Sequence, residues 1–206
     1  MELFRPDSEA MEFLGKVAVY IILNIVCLLL CFPIVTAGPA ICAKYYVSMK
    51  IARGEDVYVM KGFFKSFREN FKQASVIGIV LAIIIGILAL DWYNVIWGTS
   101  QDMAGYMKVI LVIITYIVWS VSYCIFPILA YYNISSFELV KGAAVLSFLN
   151  LPKFVLFCVA IVIEWLVIVW YIQWGLAIWM LFSTVLLYLM SKEMNKQVTL
   201  MKGKEN

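Results

Sequence analysis

The sequence predicts an all-α, polytopic helical membrane protein. It would have about six transmembrane helices in one membrane domain over residues 1–206, with an amphipathic helix on the inner face. Three observations lead there: composition, the spacing of apolar runs, and the placement of cations. Of 206 residues, 65% are apolar and 14% charged, whereas a soluble domain of this size carries roughly 25% charged residues. Aromatic residues make up 16%, seven of them Trp, and such rings settle at membrane interfaces. Sixteen Lys and Arg against thirteen Asp and Glu give a net charge of +3. That is too small to point to nucleic acid.

The apolar runs define the spans in order. Phe13 to Pro33 comes first. Four acids among the first twelve residues spoil the positive n-region of a signal peptide, and Pro39 would follow any scissile bond after Thr36-Ala37-Gly38. The span is therefore expected to be retained. Ala37 to Ile51 has 15 residues and contains Lys44; at about 22 Å of helix it is the doubtful crossing. Val76 to Trp97 and Met107 to Ala130 reach bilayer length, and Phe154 to Tyr171 and Trp174 to Met190 nearly do. Only Gln173 and Gly175 separate the last two, so one kinked helix, and five crossings in all, stays open.

Six crossings with both termini cytoplasmic place fifteen of the sixteen cations inside. Arg5 and Lys16 precede the first span, and Lys44 to Lys72 occupy the second span and its following loop. Lys141 and Lys153 lie in the next inner loop, and Lys192 to Lys204 form the tail. Lys108 alone falls outside, as the positive-inside rule requires.

Within the inner segment Val57 to Ala74, helical spacing collects Met60, Phe63, Phe64, Phe67 and Phe71 on one arc and Lys61, Lys65, Arg68 and Lys72 on another. Such a helix either rests on anionic membrane lipid or docks a cytoplasmic partner. A faint internal repeat relates residues 13–97 to 107–190. It matches Phe32-Pro33-Ile34 to Phe126-Pro127-Ile128, each read as a break after an apolar span, and Asn70 to Asn150. The run Glu138 to Ala143 loosely resembles the coupling loop of importer permeases, with Leu139 and Val140 where alanines are usual. Two polar residues, Asn24 and Glu164, sit mid-span. An ionised carboxylate there costs at least about 3 kcal/mol, so Glu164 is read either as a proton or substrate contact or as a neutral group bonded to a neighbour such as Asn24. Asp91 and Asp102 lie beside Trp92, Tyr93 and Trp97 at the outer boundary, a combination that serves as an anchor and is also suited to sugar.

There is no His, which removes the commonest general base and metal ligand. No Gly-x-x-x-x-Gly-Lys-Ser/Thr loop occurs. The five Cys contain no Cys-x-x-Cys and lie in or beside apolar runs; they read as buried thiols that pack. No enzymatic activity, metal or cofactor is expected.

With Asn24, the string Phe32-Pro33-Ile34-Val35-Thr36-Ala37-Gly38-Pro39-Ala40, then Tyr45, Tyr46 and the segment Glu55 to Gln73, the sequence resembles the YesL-like family of bacterial integral membrane proteins. The hairpin residues Pro33, Thr36, Gly38 and Pro39 form its most specific part. The resemblance implies no enzymatic activity, and it implies genes placed beside ABC-type carbohydrate importers and glycoside hydrolases. The function expected from it is a non-enzymatic accessory subunit of a bacterial oligosaccharide importer in the cytoplasmic membrane. Permease subunits would be its partners and sugar a candidate ligand. The alternative is an autonomous transporter or channel using Glu164 and the Pro-broken first hairpin.

Overall fold

The computed structural model describes residues 9–97, 105–132, 134–149, 155–156, 159 and 175–202. Among these the chain is all-helical. Its helices are α1 (Glu9–Leu30), α2 (Ile34–Ala52), α3 (Val59–Glu69), α4 (Phe71–Trp97), α5 (Gly105–Tyr131), α6 (Ser136–Leu149) and α7 (Gly175–Lys202).

Two of the described helices, α4 and α5, are 27 residues each and long and apolar enough to cross a membrane. In α1 the apolar stretch is the shorter Leu14–Leu30. Val76, Val80, Ile83, Ile87 and Leu90 on α4, and Val109, Ile113 and Ile117 on α5, are exposed. A contiguous apolar surface of that extent marks a membrane or protein contact. The last two predicted spans are separated within residues 171–174, outside the described residues, as is Glu164.

The doubtful second span turns out to be the centre of the bundle. Helix α2 begins directly after Pro33, three residues before the predicted start, and runs 19 residues. It packs against α1, α3, α4, α5 and α7. Pro39 lies inside the helix, in its second turn, where it leaves the Val35 carbonyl without its helical donor. The hairpin into α2 is fastened by Thr36, whose hydroxyl donates to the Leu30 carbonyl at the end of α1 and also lies 2.9 Å from the Pro33 carbonyl. Such terminal carbonyls have no partner within their own helix.

The other end of α2 closes in a Schellman motif. Gly54 adopts φ +75°, its N–H donates to Ile51 at 3.0 Å, and the Glu55 N–H donates to Lys50 at 3.1 Å. A residue with a Cβ would be strained there.

Where α2 crosses α4 the backbones touch. A Cβ built on Gly38 would overlap the Ala74 carbonyl oxygen and stand 2.9 Å from its carbon. One on Gly78 would lie 3.1 Å from the Gly38 Cα. Ala74 and Gly78 are four residues apart on one face of α4, the small-xxx-small spacing that lets membrane helices approach closely.

Two sequence expectations change. The predicted amphipathic helix over 57–74 is broken at Asn70, which leaves the helical region (φ −96°, ψ 3°) while its side chain donates to the Ser66 carbonyl at 3.1 Å. Phe71 and Lys72 therefore open α4. The repeat's two Phe-Pro-Ile tripeptides are not equivalent. Phe32-Pro33 lies in the turn before α2, whereas Pro127 lies inside the continuous helix α5.

Gly38→Ala is expected to lower stability more than Gly78→Ala. Overpacking costs roughly 1–3 kcal/mol and occasionally more, and at 38 the obstacle is rigid backbone. The unfolding temperature of the purified protein in mild detergent measures both; equal tolerance of the two would refute the backbone contact.

Candidate functional site

Helix α3 packs on the C-terminal part of α2. A Cβ at Gly62 would stand 3.0 Å from Val57 Cγ1, in the segment leading into α3, and at ordinary contact distance, 3.5 Å, from Val47 Cγ2 of α2. Phe63 is 0% exposed and joins the core, and Ser66 is buried beside it. The Cys42 thiol of α2 is within hydrogen-bonding reach of Ser66. Phe63 stacks on Phe67 (6.3 Å, 17°) and meets Phe64 edge-on, while Phe67 contacts Phe71 across the Asn70 break at 5.5 Å. The apolar face predicted for docking is thus largely taken up by the chain itself.

What α3 leaves outward is mixed. Met60 is 44% and Phe64 43% exposed, and Lys61, Lys65, Arg68 and Lys72 are all exposed around them. Lys65 has Glu69 at 4.0 Å, a solvent-exposed pair of small energetic weight. Beside α3, the Arg53 Nε lies 2.6 Å from Glu55 and Lys50 lies 3.7 Å from it. The Arg53 guanidinium holds the Glu55 carboxyl below its ordinary value. Arg53 also donates to Asn195 of α7 at 3.2 Å, and the Asn195 amide donates to the Met49 carbonyl at 2.8 Å. The C-terminal parts of α2 and α7 are therefore joined next to the cationic helix.

Deeper in the bundle, Asn24 is 1% exposed. Its amide donates to Ser183 Oγ at 3.1 Å and Thr184 Oγ1 at 3.2 Å on α7. Its carbonyl oxygen is buried with no hydrogen-bond partner among the described residues. Below it, the Tyr20 hydroxyl donates to the Ser48 carbonyl at 3.2 Å, and the Ser48 and Ser191 hydroxyls are 2.6 Å apart. Sequence reasoning picked out Asn24 but not these hydroxyls. Thr184 and Ser191 are seven residues apart with Leu187 between them, a heptad spacing that marks one helix face.

The hairpin residues hold structure: Thr36 fastens the turn and Gly38 admits α4. Within α6, Leu139 and Ala143 of the coupling-loop-like run are buried in the core. At the C-terminal end of α4, Asp91 and Asn94 line a cleft of about 310 Å³ between α4 and α5. Trp92 is held there by a 3.0 Å bond from Nε1 to Thr115, while Tyr93 and Trp97 are exposed. Asp102 lies outside the described residues.

Residues 19–92 match the family described as a protein of unknown function, DUF624, the domain that the YesL-like family carries. That stretch takes in the hairpin, the α2–α4 crossing, all of α3 and most of α4. No curated protein and no solved structure matches the chain.

Asn24→Ala removes two interhelical bonds. Because such bonds average about 0.6 kcal/mol each in membrane proteins, a loss of about 1 kcal/mol is expected, with insertion unchanged. Equilibrium unfolding in detergent or bicelles reads it; a variant as stable as wild type would show that the seam between α1 and α7 holds without Asn24.

Proposed function

We propose that the chain is a non-enzymatic accessory subunit of a bacterial ABC-type carbohydrate importer, spanning the cytoplasmic membrane six times with both termini inside. The observation that carries the reading is the seating of α3. A helix whose apolar side is folded onto α2 presents three cations, Lys61, Lys65 and Arg68, and two exposed apolar side chains in a fixed arrangement at the inner end of the bundle, with Lys72 following at the start of α4. A helix that merely rests on lipid needs its whole apolar face for the membrane. One already packed on its own protein is suited to a partner, and the resemblance to the YesL-like family makes permease subunits that partner. The distribution of cations supports the orientation, and the apolar surfaces of α4 and α5 support the crossings.

Orientation is checked by single-cysteine labelling with an impermeant reagent in intact cells, in a chain whose native cysteines are replaced by alanine. Asp102→Cys is expected to react, and the exposed position 65, as Lys65→Cys, only after permeabilisation. The reverse pattern would invert the topology.

The partner is checked by mild-detergent purification of the tagged protein from its own host grown on sugar, with identification of co-purifying subunits. Phe64 is the clean probe because it is exposed, whereas Phe67 also supports Phe63. As an anchor of about 2 kcal/mol, Phe64→Ala should lower recovery of permease subunits roughly 30-fold while the protein stays monodisperse. Absence of any importer component, even after crosslinking, would overturn this reading in favour of an autonomous transporter.

A further inference from the structure

Helix α4 is tied to α5 at one end and to the start of α6 and the residues before it at the other. The outer tie is the bond from Trp92 to Thr115. At the inner end the Gln73 amide donates to the Ile134 carbonyl at 3.0 Å and lies 3.2 Å from Ser136 Oγ. Between the ties runs a groove of about 440 Å³ lined by Val76, Val80 and Ile84 of α4 and Ile117 and Val121 of α5, with Ser136 and Val140 of α6.

We propose that this groove seats an acyl chain of an inner-leaflet anionic phospholipid, with its phosphate at the inner mouth between Lys72 and Lys141. The proposal rests on the multi-pass reading but not on the importer. The groove opens on helices whose outward residues are apolar, so in a bilayer hydrocarbon is what reaches it. From Val76 to Ile84 it extends about 12 Å along α4, close to the roughly 15 Å of one leaflet's hydrocarbon. A partner helix, 10–12 Å wide with its side chains, does not fit so small a volume.

The charges at the mouth select the headgroup. Lys72 precedes Val76 by one turn on the same face of α4, and Lys141 follows Val140 on α6. Both are exposed, and neither has an ion-pair partner among the described residues. Basic residues at this depth attract anionic lipid.

The test places the full chain in nanodiscs of mixed phosphatidylglycerol and phosphatidylcholine and counts retained lipids by native mass spectrometry. Phosphatidylglycerol carrying an acyl-chain diazirine, photolysed in the same discs, maps the contact. The expected result is about fivefold preference for phosphatidylglycerol, abolished by the double substitution K72Q/K141Q and by Val80→Trp, which fills the groove. Crosslinks should fall on peptides spanning 76–84 and 117–125. Equal retention of the two lipids overturns the site. So does a preference that survives K72Q/K141Q but is lost on substitution of Lys61 and Lys65, since the lipid would then lie on α3. The crosslinking arm needs no variant, and labels spread evenly over the lipid-facing helices also overturn it. A chain that stays out of the discs sinks the multi-pass reading and the groove together, whereas an inserted chain without lipid preference sinks the groove alone.

Discussion

The bundle depends on one backbone contact, Gly38 of α2 against Ala74 and Gly78 of α4. Without side chains at the crossing, the two helices approach until atoms of their main chains meet, and α2 can lie at the centre with five other helices around it. The placement has consequences at both ends of α2. At its N-terminal end, Thr36 ties the hairpin to α1. At its C-terminal end, the Gly54 motif turns the chain back so that α3 can fold underneath. A larger residue at 38 would disturb the seat of α3 as well as the crossing, because α3 packs on the same helix that α4 positions.

The contacts among α1, α2 and α7 mix polar with apolar groups: the Asn24 amide and the hydroxyls of Ser48, Thr184 and Ser191 are buried beside Leu23, Met49, Leu187 and Met190, while Val, Ile and Leu face outward on α4 and α5. In lipid there is no hydrophobic gain from burying one apolar side chain against another, so helices associate through close packing and through hydrogen bonds made across the interface. The seam from Asn24 to Ser191 and the glycine crossing are these two devices used side by side. The Asn24 carbonyl, without a partner among the described residues, sits inside the seam, where an unpaired acceptor is costly.

How much of this was legible in the sequence follows from what each pattern encodes. Composition and apolar run length report the solvent, so the all-helical class and the two helices long and apolar enough to cross a membrane, α4 and α5, could be read directly. The turn at Pro33 was also legible, because proline before a helix and a small-residue string after it are local signals. Periodicity, however, says that a face is apolar without saying what covers it. Phe63 therefore read as a docking residue although α2 buries it. Length alone made α2 look like a poor crossing, when its short apolar run and its Gly38 reflect a helix surrounded by protein. Asn70 was invisible as a break because both sides of it share one hydrophobic phase. Pro127 looked like Pro33 because a tripeptide does not record whether neighbouring helices support a continuous helix.

The inner face draws these strands together. An amphipathic helix free to choose its surface would lay Phe63, Phe64, Phe67 and Phe71 into the headgroup region. Here Phe63 and Phe67 are committed to the protein, and Ser66 is buried beside them. The helix cannot move to the membrane without exposing Phe63 and the buried residues of α2 it packs on, Val47 among them. Its cations are consequently held at fixed positions relative to the bundle, with Arg53 and Asn195 locking the adjacent ends of α2 and α7. A surface so fixed loses little conformational freedom when something binds it, which favours a shaped protein partner over a fluid one.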